Sequence, residues 1–231
     1  MLPERYLAQL ASTLDRLVRI AHQSDQLLRR PVPACPGWTL DELFGHLGSV
    51  ERWGSQVLLE GKSVERPAAP ATGAPTWFLE GVGDFLAAMA AIDPEVPCWN
   101  FGPPPRKAGF WLRRQAHEHT LHLIDACQAT DLEMPALDED FMVDGIDEVL
   151  TMMTPFQLRH KRMPPVEAAV TFNVPGAASW TLGEGPALAS ISAPLQEMYC
   201  GLWDRTNLAN TSTLDGDTDL ALRILQGPLT P

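Results

Sequence analysis

FWLRRQAHEHTLHLIDAC, residues 110 to 127, reads as one amphipathic helix, and its polar residues decide what kind of fold surrounds it. Glu118 and His122 are four residues apart, which stacks them on one face one turn apart. At 100° per residue, Trp111, Arg114, Glu118, His122 and Asp125 fall within about 80° of one another. A core-facing stripe of Arg, Glu, His and Asp is costly to bury unless the groups pair or bind a metal. One reading is a buried salt-bridge network. The other is two-thirds of a metal site, completed by His46 in CPGWTLDELFGHLGSVERW (35 to 53), a second helix that starts after a Pro-Gly break. Three N/O ligands on two helices, with a coordination position left over, is how catalytic zinc is held. Arg114 and Asp125 then serve as partners that orient and satisfy the ligands. His117 and His122 are five apart, about 140° around the helix, so they do not form an i,i+4 ligand pair. His119 points about 100° away from Glu118, toward a helix interface or solvent.

Around this stretch the first 164 residues carry helical periodicity. Tyr6, Leu10, Leu14, Leu17 and Ala21 predict a helix over roughly 3 to 30. Thr39 with Glu42 makes a capping box for a second, running to about Glu60. The Pro/Ala-rich stretch from Arg66 to Pro75 reads as a loop, and a third helix is expected from Thr76 to Ile92. After the prolines at 94, 97 and 103 to 105 comes the helix of Glu118 and His122, then a weaker one over 138 to 160. Beyond Pro164-Pro165 the pattern turns to β: strands are expected over Val166–Val174, Ala178–Leu182 and Ala187–Ile191. Ser192 is read as the cap of a helix over Leu195–Trp203, and a last helix follows Asp217. The expected fold is therefore α+β: an antiparallel helical bundle over 1–164 with a site in its core, and a small α+β unit over 165–231.

Composition bounds the function. The 231 residues are 45% hydrophobic and 20% charged, with a net charge of −12. There is no basic stretch, which argues against nucleic acid and anionic membrane as partners. No run of eighteen apolar residues predicts a membrane span, and the N-terminus lacks the pattern of an export signal. A cytoplasmic protein, a monomer or weak homodimer, is expected. Cys35, Cys98, Cys127 and Cys200 lack CxxC spacing and are read as free packing thiols. An anionic substrate would need a local Arg.

VPACPGWTLDELFGHLGSVERW resembles the signature of the mycothiol-dependent maleylpyruvate isomerase family, a branch of the DinB-like helical bundles. Ala116-His117-Glu118, followed by His122 and Asp125, is similar to the family's second block. GAASWTLGEGP, ISAPLQEMYCGLWDR and LDGDTDLALRIL are similar to its smaller, sterol-carrier-like C-terminal domain. The resemblance implies a divalent metal, normally zinc, on the matched positions His46, Glu118 and His122, with mycothiol as thiol cofactor. Arg205, in LWDR, matches a family Arg near the active site and is expected to bind cofactor or substrate; Asp204 replaces the more usual Gly. Leu123-Ile124 stand where the family often has Arg-Trp.

The chemistry expected follows from an open metal position. Coordination lowers a thiol's pKa and delivers a thiolate at neutral pH. A thiolate can add to an alkene conjugated to a carbonyl. Rotation and loss of the thiolate isomerise the substrate; release of the adduct makes the enzyme an S-transferase. Arg205 and Arg114 would hold a carboxylate of an electrophilic, anionic small molecule. The reading from another class is a non-catalytic metal- or small-molecule-binding bundle.

Overall fold

Tyr6, Leu10, Leu14 and Leu17 recur at helical spacing, and in the computed structural model, which describes residues 1–231, they form the buried stripe of helix α1, Pro3–Ala21. The helix stops sooner than its periodicity suggests. Ser24 accepts the amide of Leu27 and starts a separate turn, α2 (Asp25–Leu28), so the chain bends where one helix to residue 30 was expected. Helix α3 runs Leu40–Glu60. At its start the Glu42 carboxylate accepts from both the amide and the hydroxyl of Thr39, each at 2.6 Å. At its end Gly61 takes a left-handed φ of 66°, a conformation that glycine adopts without a Cβ penalty.

Helix α4 (Ala74–Ala90) packs on α3, and α5 (Gly109–Thr130) packs on α1. Together α1, α3, α4 and α5 make the bundle. The α3–α4 approach is close because α3 presents glycines there. A Cβ on Gly48 would lie 2.9 Å from the Trp77 ring and 3.2 Å from the Phe78 backbone. Arg52, one turn on, clamps the pair: its guanidinium lies 4.1 Å over the Trp77 ring and donates to the Gly48 and Trp77 carbonyls at 3.1 and 2.8 Å. At the far end Trp53, Trp99 and Trp111 pack ring against ring, and the Trp111 indole donates to the Trp99 carbonyl at 2.9 Å. Trp111 ties the first turn of α5 into this cluster.

The chain divides into two units, Met1–Ala136 and Leu137–Pro231. This corrects the divide expected at 164/165. The helical segment 139–159 groups with the strands that follow it, because α6 (Glu139–Glu148) packs on α8 (Leu195–Leu202). Val149–Met153 forms a π-helical turn that leads into α7, Thr154–Arg159. Four strands follow: β1 (Ala169–Val174), β2 (Ala178–Leu182), β3 (Ala187–Ser192) and β4 (Thr213–Gly216). The sheet order is β2-β1-β3-β4, with β1 antiparallel to β2, parallel to β3, and β4 antiparallel to β3. Ser192 ends β3, and Pro194 precedes α8, so Ser192 is not that helix's cap. The short α9 (Leu208–Thr211) and β4 had no counterpart in the sequence reading. Helix α10 (Thr218–Leu225) starts as expected, with Asp217 accepting the Leu220 amide at 2.9 Å. The α+β architecture thus holds. No helix is long and apolar enough to cross a membrane.

Candidate metal centre

Helices α3 and α5 cross in the bundle so that His46 meets the stripe of α5. The ligand atoms of His46, Glu118 and His122 all lie within 4.8 Å of one another. His46 Nε2 donates to Glu118 Oε1 at 3.0 Å, and His122 Nε2 lies 3.7 Å from the same oxygen. The two imidazoles are 4.8 Å apart, nearly edge to face. On the other side of His122, Nδ1–H donates to Asp125 Oδ2 at 2.9 Å. That bond places the ring proton on Nδ1 when the imidazole is neutral, and leaves the Nε2 lone pair directed at Glu118 and His46. Arg114 Nη2 donates to Glu118 Oε2 at 3.2 Å, one turn away along α5. Thus the stripe of Arg114, Glu118, His122 and Asp125 is assembled as its spacing predicted, and His46 joins it from α3. Trp111, on the same face, packs in the aromatic cluster instead.

Electrostatics follows the geometry. For Glu118, burial favours the neutral acid, but hydrogen bonds from His122 and His46 and the Arg114 charge hold its carboxyl well below the usual range. For His122, burial works against the proton, yet Asp125, Cys35 and Glu118 carry its pKa well above the ordinary imidazole value. His46 goes the other way: burial lowers it, Glu118 pulls back, and the His122 and Arg66 charges add to the lowering. Glu118 thus faces two unlike imidazoles, His122 drawn toward its protonated form and His46 drawn away from it.

Three residues of the centre, Arg66, Cys35 and Trp38, escaped the sequence reading. Arg66, in the Pro/Ala-rich loop, places Nη2 3.0 Å from His46 Nδ1 and donates from Nε to Ser49 Oγ at 2.8 Å. Ser49 in turn donates to the Pro67 carbonyl at 2.5 Å. Cys35 Sγ lies 3.7 Å from Asp125 Oδ2, and Cys35, His122 and Asp125 form a second potential donor group. Lack of CxxC spacing had every cysteine read as a packing thiol; Cys35 arrives through the fold, from the turn before α3. Trp38, from the same turn, has its ring 5.0 Å from His46 and 6.2 Å from His122. The signal for Cys35 and Trp38 was their place in CPGW just ahead of α3; for Arg66 periodicity offered none.

The remaining candidates sit elsewhere. His119 is fully buried at the helix interface, stacked on Phe85 and 3.4 Å from Glu51. His117 is buried with its ring edge-on to Tyr6. His160 contacts Phe156 in the second unit. Cys98, Cys127 and Cys200 are buried and form no disulfide. Arg205 also lies in the second unit, where Nη1 donates to the Trp203 carbonyl at 2.5 Å.

A cavity of about 1330 Å³ opens beside His46. Trp38, Gly45, Ser49 and Arg66 line it with the loop that follows Arg66, and Asp25, Asp41 and Glu42 contribute an acidic wall. Burial, then the Glu42 and Asp25 charges, raise the Asp41 carboxyl. The arrangement can hold a divalent cation at the imidazole–carboxylate cluster and admit a small molecule next to it.

Comparison with known proteins places both units. Residues 7–127 match the model of the mycothiol maleylpyruvate isomerase N-terminal domain, and residues 140–223 match that of the MDMPI C-terminal domain. No curated protein matches the chain in sequence. In fold, the chain is similar to the crystal structure of the mycothiol-dependent maleylpyruvate isomerase, with a TM-score of 0.67 over 93% of both chains at 11% identity. A histidine-to-alanine mutant of the mycothiol-dependent maleylpyruvate isomerase superposes with a TM-score of 0.64, again over 93% of each chain, at 12% identity.

Proposed function

Because the chain belongs to the mycothiol maleylpyruvate isomerase family, we propose that it is a zinc- and mycothiol-dependent enzyme acting on an anionic, carbonyl-conjugated alkene. Cis–trans isomerisation is its principal reaction, and S-transfer is the outcome when the adduct is released. One observation carries the reading: two imidazole Nε2 atoms converge on one carboxylate oxygen, and His122 has its Nδ1–H on Asp125.

That donor set suits zinc. Two histidines and a glutamate supply three ligands and leave a position for an exogenous group. The Asp125–His122 pair is the carboxylate–histidine arrangement that fixes the tautomer of a metal-ligating imidazole. Zinc held there would act as a Lewis acid that lowers the pKa of a coordinated thiol, the chemistry that would make mycothiol a nucleophile toward the alkene at neutral pH. The chain's own residues do the rest. His46, Glu118 and His122 hold the ion. Arg114 keeps Glu118 ionised and ready to ligate. Trp38 covers the imidazoles, which leaves the cavity side of the cluster for the incoming thiol. Arg205 is a further candidate for binding cofactor or substrate.

Zinc content and turnover test this. Purified protein should carry about one zinc, and His46→Ala, Glu118→Ala or His122→Ala should remove most of it, while His160→Ala should not. Isomerisation of maleylpyruvate should require added mycothiol. Full zinc occupancy in His46→Ala would refute the ligand set. Zinc with no thiol-dependent turnover on carbonyl-conjugated alkenes would instead make this a binding protein.

A further inference from the structure

Metal-ligating histidines ordinarily give their second ring N–H to a carboxylate, a carbonyl or water. His122 does so. His46 does not: its Nδ1 faces the guanidinium of Arg66, whose Nη2 donates to it at 3.0 Å. An arginine has only donors. If His46 binds a metal through Nε2, its remaining ring proton sits on Nδ1. Two N–H donors then point at each other, one of them cationic, and the contact changes from attractive to repulsive. The backbone of α3 fixes His46, so Arg66 is the partner that moves. Its Nε stays tethered to Ser49 Oγ at 2.8 Å, one turn along α3 from His46. The guanidinium therefore swings about Ser49 and remains at the cavity wall beside the metal position.

We infer that Arg66 is the anchor for a substrate carboxylate in this cavity, released from His46 by metal binding. The inference rests on the reading of His46 as a ligand. The charges around the cavity favour it. Asp25, Asp41 and Glu42 make one wall acidic and would repel an anion. Arg29 and Arg66 both line the cavity, and of these two Arg66 is the one hydrogen-bonded to a member of the metal cluster, so a carboxylate on its fork would lie within a few ångströms of the open metal position. The released fork presents parallel N–H donors, the geometry that matches a carboxylate. Substrate binding is thereby coupled to metal loading: the metal-free protein keeps its anion anchor occupied by His46.

Isothermal titration of the full-length protein tests this with zinc and with maleate, a dicarboxylate that needs no turnover. Zinc-loaded wild type should bind maleate more tightly than metal-free protein. Arg66→Gln should weaken maleate binding to the zinc-loaded form by about 10- to 100-fold, the worth of one charge-assisted pair. Arg66→Lys should recover part of it. Zinc affinity in Arg66→Gln should be unchanged or up to about tenfold higher, since the competitor for Nδ1 is gone. Maleate affinity unchanged by Arg66→Gln overturns the inference, as does zinc-loaded wild type that does not bind maleate. A drop in zinc affinity in Arg66→Gln also overturns it, because Arg66 would then support the ligand. Failure of the ligand set shows separately, as zinc retained by His46→Ala.

Discussion

His122 is drawn toward its protonated form, and a metal bound there would have to displace that proton. Burial lowers its pKa, but Asp125, Cys35 and Glu118 outweigh burial and raise it well above the ordinary value. A raised imidazole stabilises the metal-free fold fully below its unfolded pKa of about 6.5, and that stability is lost as pH rises through the raised value. Glu118 is lowered, so its contribution is present above the ordinary carboxylate range and is lost as pH falls through the lowered value. The metal-free protein should therefore be most stable between those limits. Zinc binding near pH 7 should release about one proton, read from titrations in buffers of different ionisation enthalpy. Zinc affinity should rise by roughly a decade per pH unit while His122 stays protonated. Asp125→Asn should flatten that dependence and weaken zinc about 10- to 100-fold. A titration of Asp125→Asn that matches wild type would deny Asp125 this role.

At the scale of elements, the α3–α4 seam positions His46. Gly48 lets Trp77 and Phe78 approach the α3 backbone, and Arg52 ties the two helices across that seam. Gly48→Ala gains about 1 kcal/mol of helix propensity. It also forces a methyl to 2.9 Å from the Trp77 ring, an overpacking that costs about 1–3 kcal/mol. A net loss of about 1 kcal/mol is expected in urea unfolding, and a more stable variant would show that the seam has slack. The sequence made much of this element legible. Thr39, Glu42 and Gly61 mark the ends of α3 because caps are local chemistry, readable within four residues. The strands announced themselves through β-branched runs between turn residues. Strand β4, TLDG, did not: it is an exposed edge of four residues whose pairing with β3 is long-range. Arg66 was invisible for the same reason, since a loop residue's neighbours come from how the chain closes and not from its period.

For the whole molecule, the segment 139–159 is the instructive case. Its stripe of Phe141, Met142, Ile146, Val149 and Leu150 shows that one face is buried. Periodicity does not say against what, and that is why the divide was expected at 164 and lies near 136. A fragment of residues 1–136 should accordingly stay helical by circular dichroism, remain monodisperse and bind one zinc. A fragment ending at Pro164 would carry the apolar face of α6 without α8, and should aggregate or bind a hydrophobic dye strongly. The reverse ranking of the two fragments would return that segment to the bundle.

Every side chain found at the imidazole–carboxylate cluster, from Cys35 to Asp125, is encoded within 91 consecutive codons (125 − 35 + 1). In terms of descent, the centre is a single heritable block. A crossover after Ala136 would transfer it whole, and drift in the remaining two-fifths of the gene would not touch any of these side chains. Lineages could thus exchange or remodel the C-terminal sequence while inheriting the same imidazole–carboxylate cluster unaltered.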